Sequence, residues 1–576
     1  MTRATLIQGQ NLSEQTPGFG TTKTSRAASR ASLVLALCAI LLAPIWTVHY
    51  PPLVDYPNHL ASAFVLAHLK DPAFHFSQFY ASDWNTYPYL AMDLILVGLQ
   101  WFFPIDMAGR LFLSLCVLVV PLAVWFFIRE ANPCQDTLAL WSLYISTGVY
   151  FFLDGLLNLQ LGLALCFLVL GLWLRWLDRP RLTLWCLLLV ATTALYFTHL
   201  VGFGVACFVA TAYSILAHRR IREILLTWIL FLAGILFYLH LVVHVRIGWT
   251  WGSHDFARKA TGLLVVMLGY SPALDFLTLV VMVGCIILGR SGNPEFRWNH
   301  RWLGVAGCLF VLYWIFPGAY GAAMEADRRL VPFLFILTLA AVRFGRRARL
   351  LGSIALLLFV LHTGDVEHHF LSLQPRLAEM SQSFSAIPNG ARVLPMSEWT
   401  KGVLRPERHF WAYGVIQRGW FSPCLFHDPG VHPFKIKLQT SSPCGPGIFG
   451  PESFDWARVQ HDFDYVWAYD VPQLYPPLSA IGKLVFENGD GDVRVFRLNK
   501  PSAGVALRGN RATARRYEAY ETGVGRHSKQ TEPGADWCLS WFTAERHGGR
   551  QTRGQLSVGK AIDQNNREEC HHQAAQ

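Results

Sequence analysis

An aspartate shortly after the first long apolar run is a candidate catalytic residue. Asp55 lies in the stretch VDYPNH at positions 54–59, a few residues beyond that run. A carboxylate just outside a bilayer suits a general base that removes a proton from an acceptor hydroxyl. Tyr56 and His59 are expected to line the same substrate cavity. The alternative interpretation is that Asp55 is an ordinary solvated loop residue.

Two later stretches place single polar side chains inside apolar sequence. Asp154 and Asn158 are one helical turn apart in FFLDGLLN (151–158), and His199 lies in YFTHL (196–200). Polar residues embedded this deeply in apolar sequence are functional candidates, and we expect all three to line the substrate cavity. Asp154 is equally well explained as a helix N-cap, and His199 as a turn residue that the backbone satisfies.

Arg328 and Arg329 follow Asp327 just before a late apolar run. Arginine matches phosphate oxygens with a rigid fork of donors, so the pair predicts an anion site, although simple anchoring at the membrane interface is an alternative. A base and an arginine pair on one membrane face fit transfer from a lipid phosphate. The base would remove the acceptor proton while the arginines stabilise charge on the departing phosphate.

The composition indicates that these residues are positioned by a polytopic membrane protein. Of the 576 residues, 53% are hydrophobic and only 15% are charged, whereas about 25% of an ordinary soluble chain is charged. The net charge of +11 comes from short basic clusters between apolar runs. Cytoplasmic loops have this pattern, so we do not expect a nucleic-acid partner.

Eleven apolar runs are predicted to span the bilayer, which takes about 20 residues each. They cover 31–48, 110–128, 137–153, 156–174, 182–198, 200–217, 223–243, 272–289, 302–317, 330–342 and 350–363. The further run 89–103 contains Asp93, which is costly at the bilayer centre, and we expect this run to lie along the membrane surface. The stretch 58–69 is predicted to be a second interfacial helix in the same outer loop.

The distribution of basic residues supports this topology. With eleven spans, the loops on the side of the N-terminus contain 18 Lys and Arg, and the opposite loops contain six. This asymmetry agrees with the positive-inside rule. All four candidate stretches then lie on the outer face, as does the chain after the last span. A bacterial inner membrane with a periplasmic C-terminal domain is the expected location.

Four segments are predicted along the chain: a cytoplasmic segment (1–30), a transmembrane domain (31–363), a small extracytoplasmic α/β domain (364–500) and a disordered tail (501–576). Strands are expected at 392–396, 464–468, 483–487 and 493–498, and a helix at 409–417. The last two strands flank NGDG, a hairpin signal. Cys424 and Cys444 share this domain and can pair in an oxidising compartment, a question that the sequence leaves open.

In this layout the chain resembles the GT-C superfamily of integral-membrane glycosyltransferases, such as protein O-mannosyltransferases and lipid A aminoarabinose transferases. The resemblance rests on Asp55 and the juxtamembrane helices of the first outer loop, Asp154 before the fourth span, Arg328 or Arg329 near a late outer loop, and the C-terminal outer domain. It implies a polyprenyl-phosphate sugar donor and an inverting transfer to a glycan, lipid or protein acceptor. Many members have paired acidic residues in the first loop, whereas Asp55 is followed by Tyr56, and we therefore expect no metal cofactor.

Two other functions compete with this expectation. A transporter or lipid flippase would bind its substrate through polar residues near the midplane, but the sequence shows no inverted halves. A non-catalytic envelope assembly or sensor protein would use the outer domain alone. No Walker, serine-hydrolase or zinc-protease motif is present in the sequence.

Overall fold

The structure is a computed structural model that describes residues 21–133, 135–244, 249–250, 256–320, 325–398, 404–427, 430–437, 444 and 450–500. Helices dominate the described chain. The predicted tail (501–576) and most of the predicted N-terminal segment lie outside the described residues.

The helices of the first half of the chain are α1 (Thr21–Trp46), α2 (Tyr56–Ala67), α3 (Leu90–Leu99), α4 (Ile105–Ala131), α5 (Trp141–Thr147), α6 (Tyr150–Leu153), α7 (Leu157–Asp178), α8 (Leu182–Thr198), α9 (Leu200–Leu216) and α10 (Ile221–His244). Those of the second half are α11 (Phe256–Gly262), α12 (Pro272–Arg290), α13 (His300–Ile315), α14 (Val331–Ala340), α15 (Arg347–Gln382), α16 (Ala412–Arg418), α17 (Trp456–Asp462) and α18 (Tyr475–Ile481).

Among the residues that the structure describes, five helical segments are long and apolar enough to cross a membrane: α4, α7, α10, α12 and the segment 347–386 that begins with α15. The apolar parts of α1, α8, α9 and α13 are shorter. The total of eleven spans therefore stays a prediction. The surface helix expected at 89–103 corresponds to α3, whose ten residues extend only about 15 Å, half of the roughly 30 Å hydrocarbon core.

The predicted span 137–153 differs from the structure, in which it is divided into a 3₁₀ turn at 136–140 and the short helices α5 and α6. Every residue of α5 and α6 is buried. Gly148, between them, packs so closely on α15 that an added Cβ would lie 3.0 Å from the Cβ of His362. The run is therefore not one continuous helix, and because burial inside the protein and burial in lipid give the same apolar pattern, its crossing of the bilayer stays a prediction.

The last predicted span also differs, because α15 continues to Gln382. Its 36 residues extend about 54 Å, well beyond the hydrocarbon core. Beyond position 363 the helix becomes amphipathic and buries Val366, Phe370, Leu377 and Met380. One continuous helix thus links the apolar helices to the rest of the chain up to residue 500, which we call the C-terminal part (383–500).

The C-terminal part contains the predicted strands in one four-stranded sheet. The strands are β6 (Val393–Ser397), β8 (Tyr465–Tyr469), β9 (Gly482–Glu487) and β10 (Val493–Leu498), in the order β6-β8-β10-β9. Strands β6 and β8 are parallel, and the other neighbours are antiparallel. The hairpin signal is confirmed, and Gly491 has the positive φ of 71° that the turn needs. Two-residue strands β2 (Trp249–Thr250), β3 (Arg297–Trp298), β4 (Ala319–Tyr320) and β5 (Val342–Arg343) form the small pairs β2-β4 and β3-β5.

The segment between α1 and α4 (47–104, the α1–α4 segment) and the C-terminal part share one hydrophobic core. Strand β1 (Tyr80–Ser82) pairs with β7 (Phe434–Ile436), and buried residues of both regions, among them Tyr56 and Trp420, belong to the same cluster. A disulfide joins Cys424 to Cys444, with 5.3 Å between their Cα atoms. The question left open by the sequence is thus answered, and the C-terminal part is held against the loop that contains Asp55.

Candidate functional site

The backbone brings the loops of Asp55 and Asp154 together. The N–H of Val54 donates to the carbonyl of Leu153 (3.1 Å), and the N–H of Asp55 donates to the carbonyl of Asp154 (3.0 Å). Gly155 makes this approach possible, because it has a φ of 85° and an added Cβ would lie 2.9 Å from the nitrogen of Asp55. Two aspartates that are about 100 positions apart in sequence are therefore fixed side by side.

The two carboxylates share a neighbourhood of mixed charge. Burial raises the pKa of Asp55 to about 7, while the positive charges of Arg408 and Arg329 oppose that rise. Burial also raises the pKa of Asp154 well above its usual range, and the negative charges of Asp55 and Glu325 raise it further. Because each ionised carboxylate disfavours the other, the pair retains a proton more readily than two exposed aspartates would. One carboxylate of the pair can therefore accept a proton when the pH is near neutral.

The structure separates the two predicted phosphate-binding arginines. Arg328 forms an ion pair with Glu325. Arg329 acts electrostatically on both Asp55 and Asp154, and its buried Nε, like that of Arg328, has no hydrogen-bond partner among the described residues. An unpaired buried donor is costly unless a ligand satisfies it. Arg329 is thus the member of the pair whose surroundings suit an incoming anion.

The turn that presents these arginines is itself fixed by buried charge. Asp327 is fully buried and contacts Arg258 (2.7 Å) and Lys259 (2.8 Å) of α11. Its other carboxylate oxygen accepts the N–H of Arg328 at 3.0 Å, at the start of the short 3₁₀ turn that leads into α14. The positive charges of α11 therefore neutralise Asp327 and hold the turn in place.

Two more buried polar groups have unused hydrogen-bonding capacity, and one of them, His199, lies near Arg329. His199 links α8 and α9. Gly162 of α7 packs against His199, since a Cβ added to Gly162 would lie 2.5 Å from the Cβ of His199. Asn158 is one turn before Gly162 on the same face of α7. His199 Nδ1 and Asn158 Oδ1 are buried and have no partner among the described residues. Burial and the charge of Arg329 lower the pKa of His199 well below its usual range, so this ring is neutral.

Tyr56 and His59 both lie in packed surroundings, and the expectation that they line a substrate cavity stays a prediction. Tyr56 is 1% exposed, and its hydroxyl lies against Gly109 of α4, so its side chain packs in the core. The ring of His59 packs on Phe426 (5.0 Å) and His432 (6.0 Å) of the C-terminal part. Burial lowers the pKa of His59 to about 3. His59 therefore belongs to the contact between the α1–α4 segment and the C-terminal part.

Sequence reasoning missed four residues of this neighbourhood. Arg408 and His409, from the C-terminal part, lie near Asp55. Glu325, which precedes the arginine pair, acts on Asp154, and the centroid of the Tyr89 ring lies 4.8 Å from that of His199. The dense run RPERH at 405–409 was a visible signal, but nothing in its spacing linked it to Asp55. The positive φ of Tyr89 (76°) is likewise a feature of the folded chain alone.

The site thus combines a proton acceptor, an arginine with an unused donor and two unpaired polar groups. This set can hold an anion beside a hydroxyl and remove the hydroxyl proton. Within the part of the chain that the structure describes, no group of three or more His, Cys, Asp or Glu is arranged to hold a metal ion. No protein-family model matches the sequence, and no curated protein matches it.

Proposed function

We propose that the protein is a membrane glycosyltransferase that moves a sugar from a polyprenyl-phosphate donor to an acceptor at the outer face of the membrane. The observation that carries this proposal is the joining of Asp55 and Asp154 by their backbones, with the charge of Arg329 acting on both. Transfer of a sugar from a phosphate to a hydroxyl requires a proton acceptor beside a cationic hydrogen-bond donor.

In the proposed reaction, Asp55 accepts the proton of the acceptor hydroxyl as its oxygen attacks the anomeric carbon of the sugar. The bond between that carbon and the phosphate oxygen breaks, and the phosphate leaves with the bonding electrons. Arg329 stabilises the additional negative charge on the departing phosphate. Attack from the side opposite the leaving group inverts the anomeric centre. His199 and Asn158 offer their unpaired atoms to sugar hydroxyls.

Two observations support an outer-face location. The Cys424–Cys444 disulfide is typical of an oxidising compartment, and it lies in the part of the chain that packs on the first outer loop. The 18 to 6 distribution of basic residues assigns the same side to that loop. The proposed setting is therefore a bacterial inner membrane with the site on its periplasmic face. A lipid-linked donor would reach such a site from the bilayer, with its polyprenyl chain in the hydrocarbon core.

The test replaces Asp55 with asparagine, which has nearly the same shape but cannot accept the proton. A general base contributes about 10²–10⁴-fold to rate, so Asp55→Asn should lose that much transfer of sugar from a polyprenyl-phosphate donor. Donor binding should persist, because Arg329 is unchanged. Asp71→Asn, the same change in an exposed part of the same loop, is the matched control and should be fully active.

Transfer at the parent rate by Asp55→Asn would remove Asp55 as the base. Movement of intact lipid-linked sugar across the bilayer of proteoliposomes, without transfer, would instead identify a flippase. Both measurements use the full-length protein and the same donor.

A further inference from the structure

The amide of Asn58 is held in one orientation by two backbone groups of the C-terminal part. The N–H of Phe426 donates to Asn58 Oδ1 (2.9 Å), and Asn58 Nδ2 donates to the carbonyl of Cys424 (3.1 Å). A flipped amide would face both groups with the wrong atom. Asn58 is fully buried, so these partners decide its orientation.

This orientation determines which nitrogen of His409 has the proton. Asn58 Nδ2, a donor, lies 3.5 Å from His409 Nδ1, which must therefore act as the acceptor. The ring is only 5% exposed, and burial lowers its pKa to about 3, with Arg408 contributing, so the ring is neutral. A neutral imidazole has one N–H, and with Nδ1 as acceptor that proton is on Nε2.

The protonated nitrogen faces the proposed base. His409 Nε2 lies 3.5 Å from Asp55 Oδ1. This separation is long for a hydrogen bond, but catalytic contacts are often long before substrate binds and shorten in the reacting complex. The ring is kept in this direction by an edge contact with Phe426, whose centroid is 5.3 Å away.

We propose that His409 is a positioning residue that donates its Nε2–H to the carboxylate of Asp55, with Asn58 selecting the required tautomer. This inference rests on the proposed function, in which Asp55 is the base. The neutral N–H orients the carboxylate for the acceptor hydroxyl and adds no full positive charge beside it. The C-terminal part thereby completes the site, and the backbone beside the Cys424–Cys444 disulfide fixes the Asn58 amide.

Other charges also face Asp55 and are held constant in the test. They are Asp154 at the end of α6, Arg329 before α14, and Arg408, which adjoins His409. A donated hydrogen bond favours the ionised carboxylate. Removing it should raise the pKa of Asp55 without a change in these three groups.

The experiment compares His409→Leu with His409→Gln in the full-length protein. The glutamine amide can restore an N–H near the position of Nε2, whereas leucine cannot. Asp55 is titrated by infrared spectroscopy of its protonated C=O stretch, identified by subtraction of the Asp55→Asn spectrum. We expect His409→Leu to raise the pKa of Asp55 by about one pH unit and to move the rising limb of the transfer–pH profile equally. His409→Gln should keep both near the parent values.

A second measurement does not depend on the leucine variant being folded. Nitrogen-15 NMR of histidine-labelled parent protein, compared with His409→Gln, should show a neutral His409 protonated at Nε2. Protonation at Nδ1, or an unchanged Asp55 titration in His409→Leu, would overturn the inference. If Asp55→Asn is inactive while His409→Leu leaves the titration unchanged, only this inference fails. If Asp55→Asn transfers sugar normally, the proposed function fails, even where the titration and tautomer are as expected.

Discussion

Gly155→Ala should both destabilise the protein and misplace the proposed base. Gly155 has a φ of 85°, where an L-residue costs about 1–2 kcal/mol. The new Cβ would also lie 2.9 Å from the nitrogen of Asp55 and 3.0 Å from that of Tyr56, and backbone atoms cannot rotate away as a flexible side chain can. The two loops must separate, which weakens the hydrogen bonds from Val54 and Asp55. At about 0.5–1.5 kcal/mol for each bond, the total cost is roughly 2–5 kcal/mol.

The functional effect should exceed what this loss of stability explains. A displacement of about 1 Å at a reacting group can reduce the rate about 10²-fold, and we expect that loss of transfer in Gly155→Ala at temperatures where the variant is still folded. Thermal unfolding in detergent and initial transfer rates would measure the two effects separately. Gly98→Ala is the matched control, because Gly98 lies in α3 with nothing within 4 Å of an added Cβ.

Gly155→Asn separates the two causes of the effect. Asparagine tolerates a positive φ better than alanine but still adds a Cβ against the backbone of Asp55. We therefore expect Gly155→Asn to recover part of the stability and little of the transfer rate. Parent stability and parent activity in Gly155→Ala would refute the reasoning, since the two loops would then not need their close approach.

Three further predictions concern the charges and the disulfide. Arg329→Ala should weaken binding of a polyprenyl-phosphate donor about tenfold or more, while Arg328→Ala should mainly lower the unfolding temperature because it leaves Glu325 without its ion-pair partner. Equal losses of donor affinity in the two variants would contradict this distinction. The transfer rate should rise about tenfold per pH unit below pH ~7 and level off above it, because burial raises the pKa of Asp55 to about 7 and a general base must be unprotonated. A transfer rate that does not change between about pH 5 and about pH 8 would exclude Asp55 from this role. A thiol reductant should destabilise the parent by about 3 kcal/mol, seen as a lower unfolding temperature, and should leave Cys424→Ser unchanged.

Features that depend on a few neighbouring residues are predictable from the sequence alone. The helix expected at 58–69 is present as α2, and the four strands after position 390 lie within about one residue of their predicted bounds. The NGDG turn forms the expected hairpin between β9 and β10. Periodicity and turn chemistry are local properties, because a side chain's face on a helix or strand depends on residues a few positions away. His199 was likewise predicted at a turn and links α8 to α9.

Which polar residues meet depends on how the whole chain packs. Arg328 and Arg329 are identical in type and adjacent in sequence, yet one is paired with Glu325 and the other acts on both aspartates. Asn58 and His409 are 351 positions apart, and no local pattern connects them. Their contact exists because the α1–α4 segment and the C-terminal part bury their apolar side chains in one shared core. Burial of apolar surface is not directional, so the spacing of residues in the sequence does not indicate which distant segments will pack together. The surroundings of Asp55 follow from that packing.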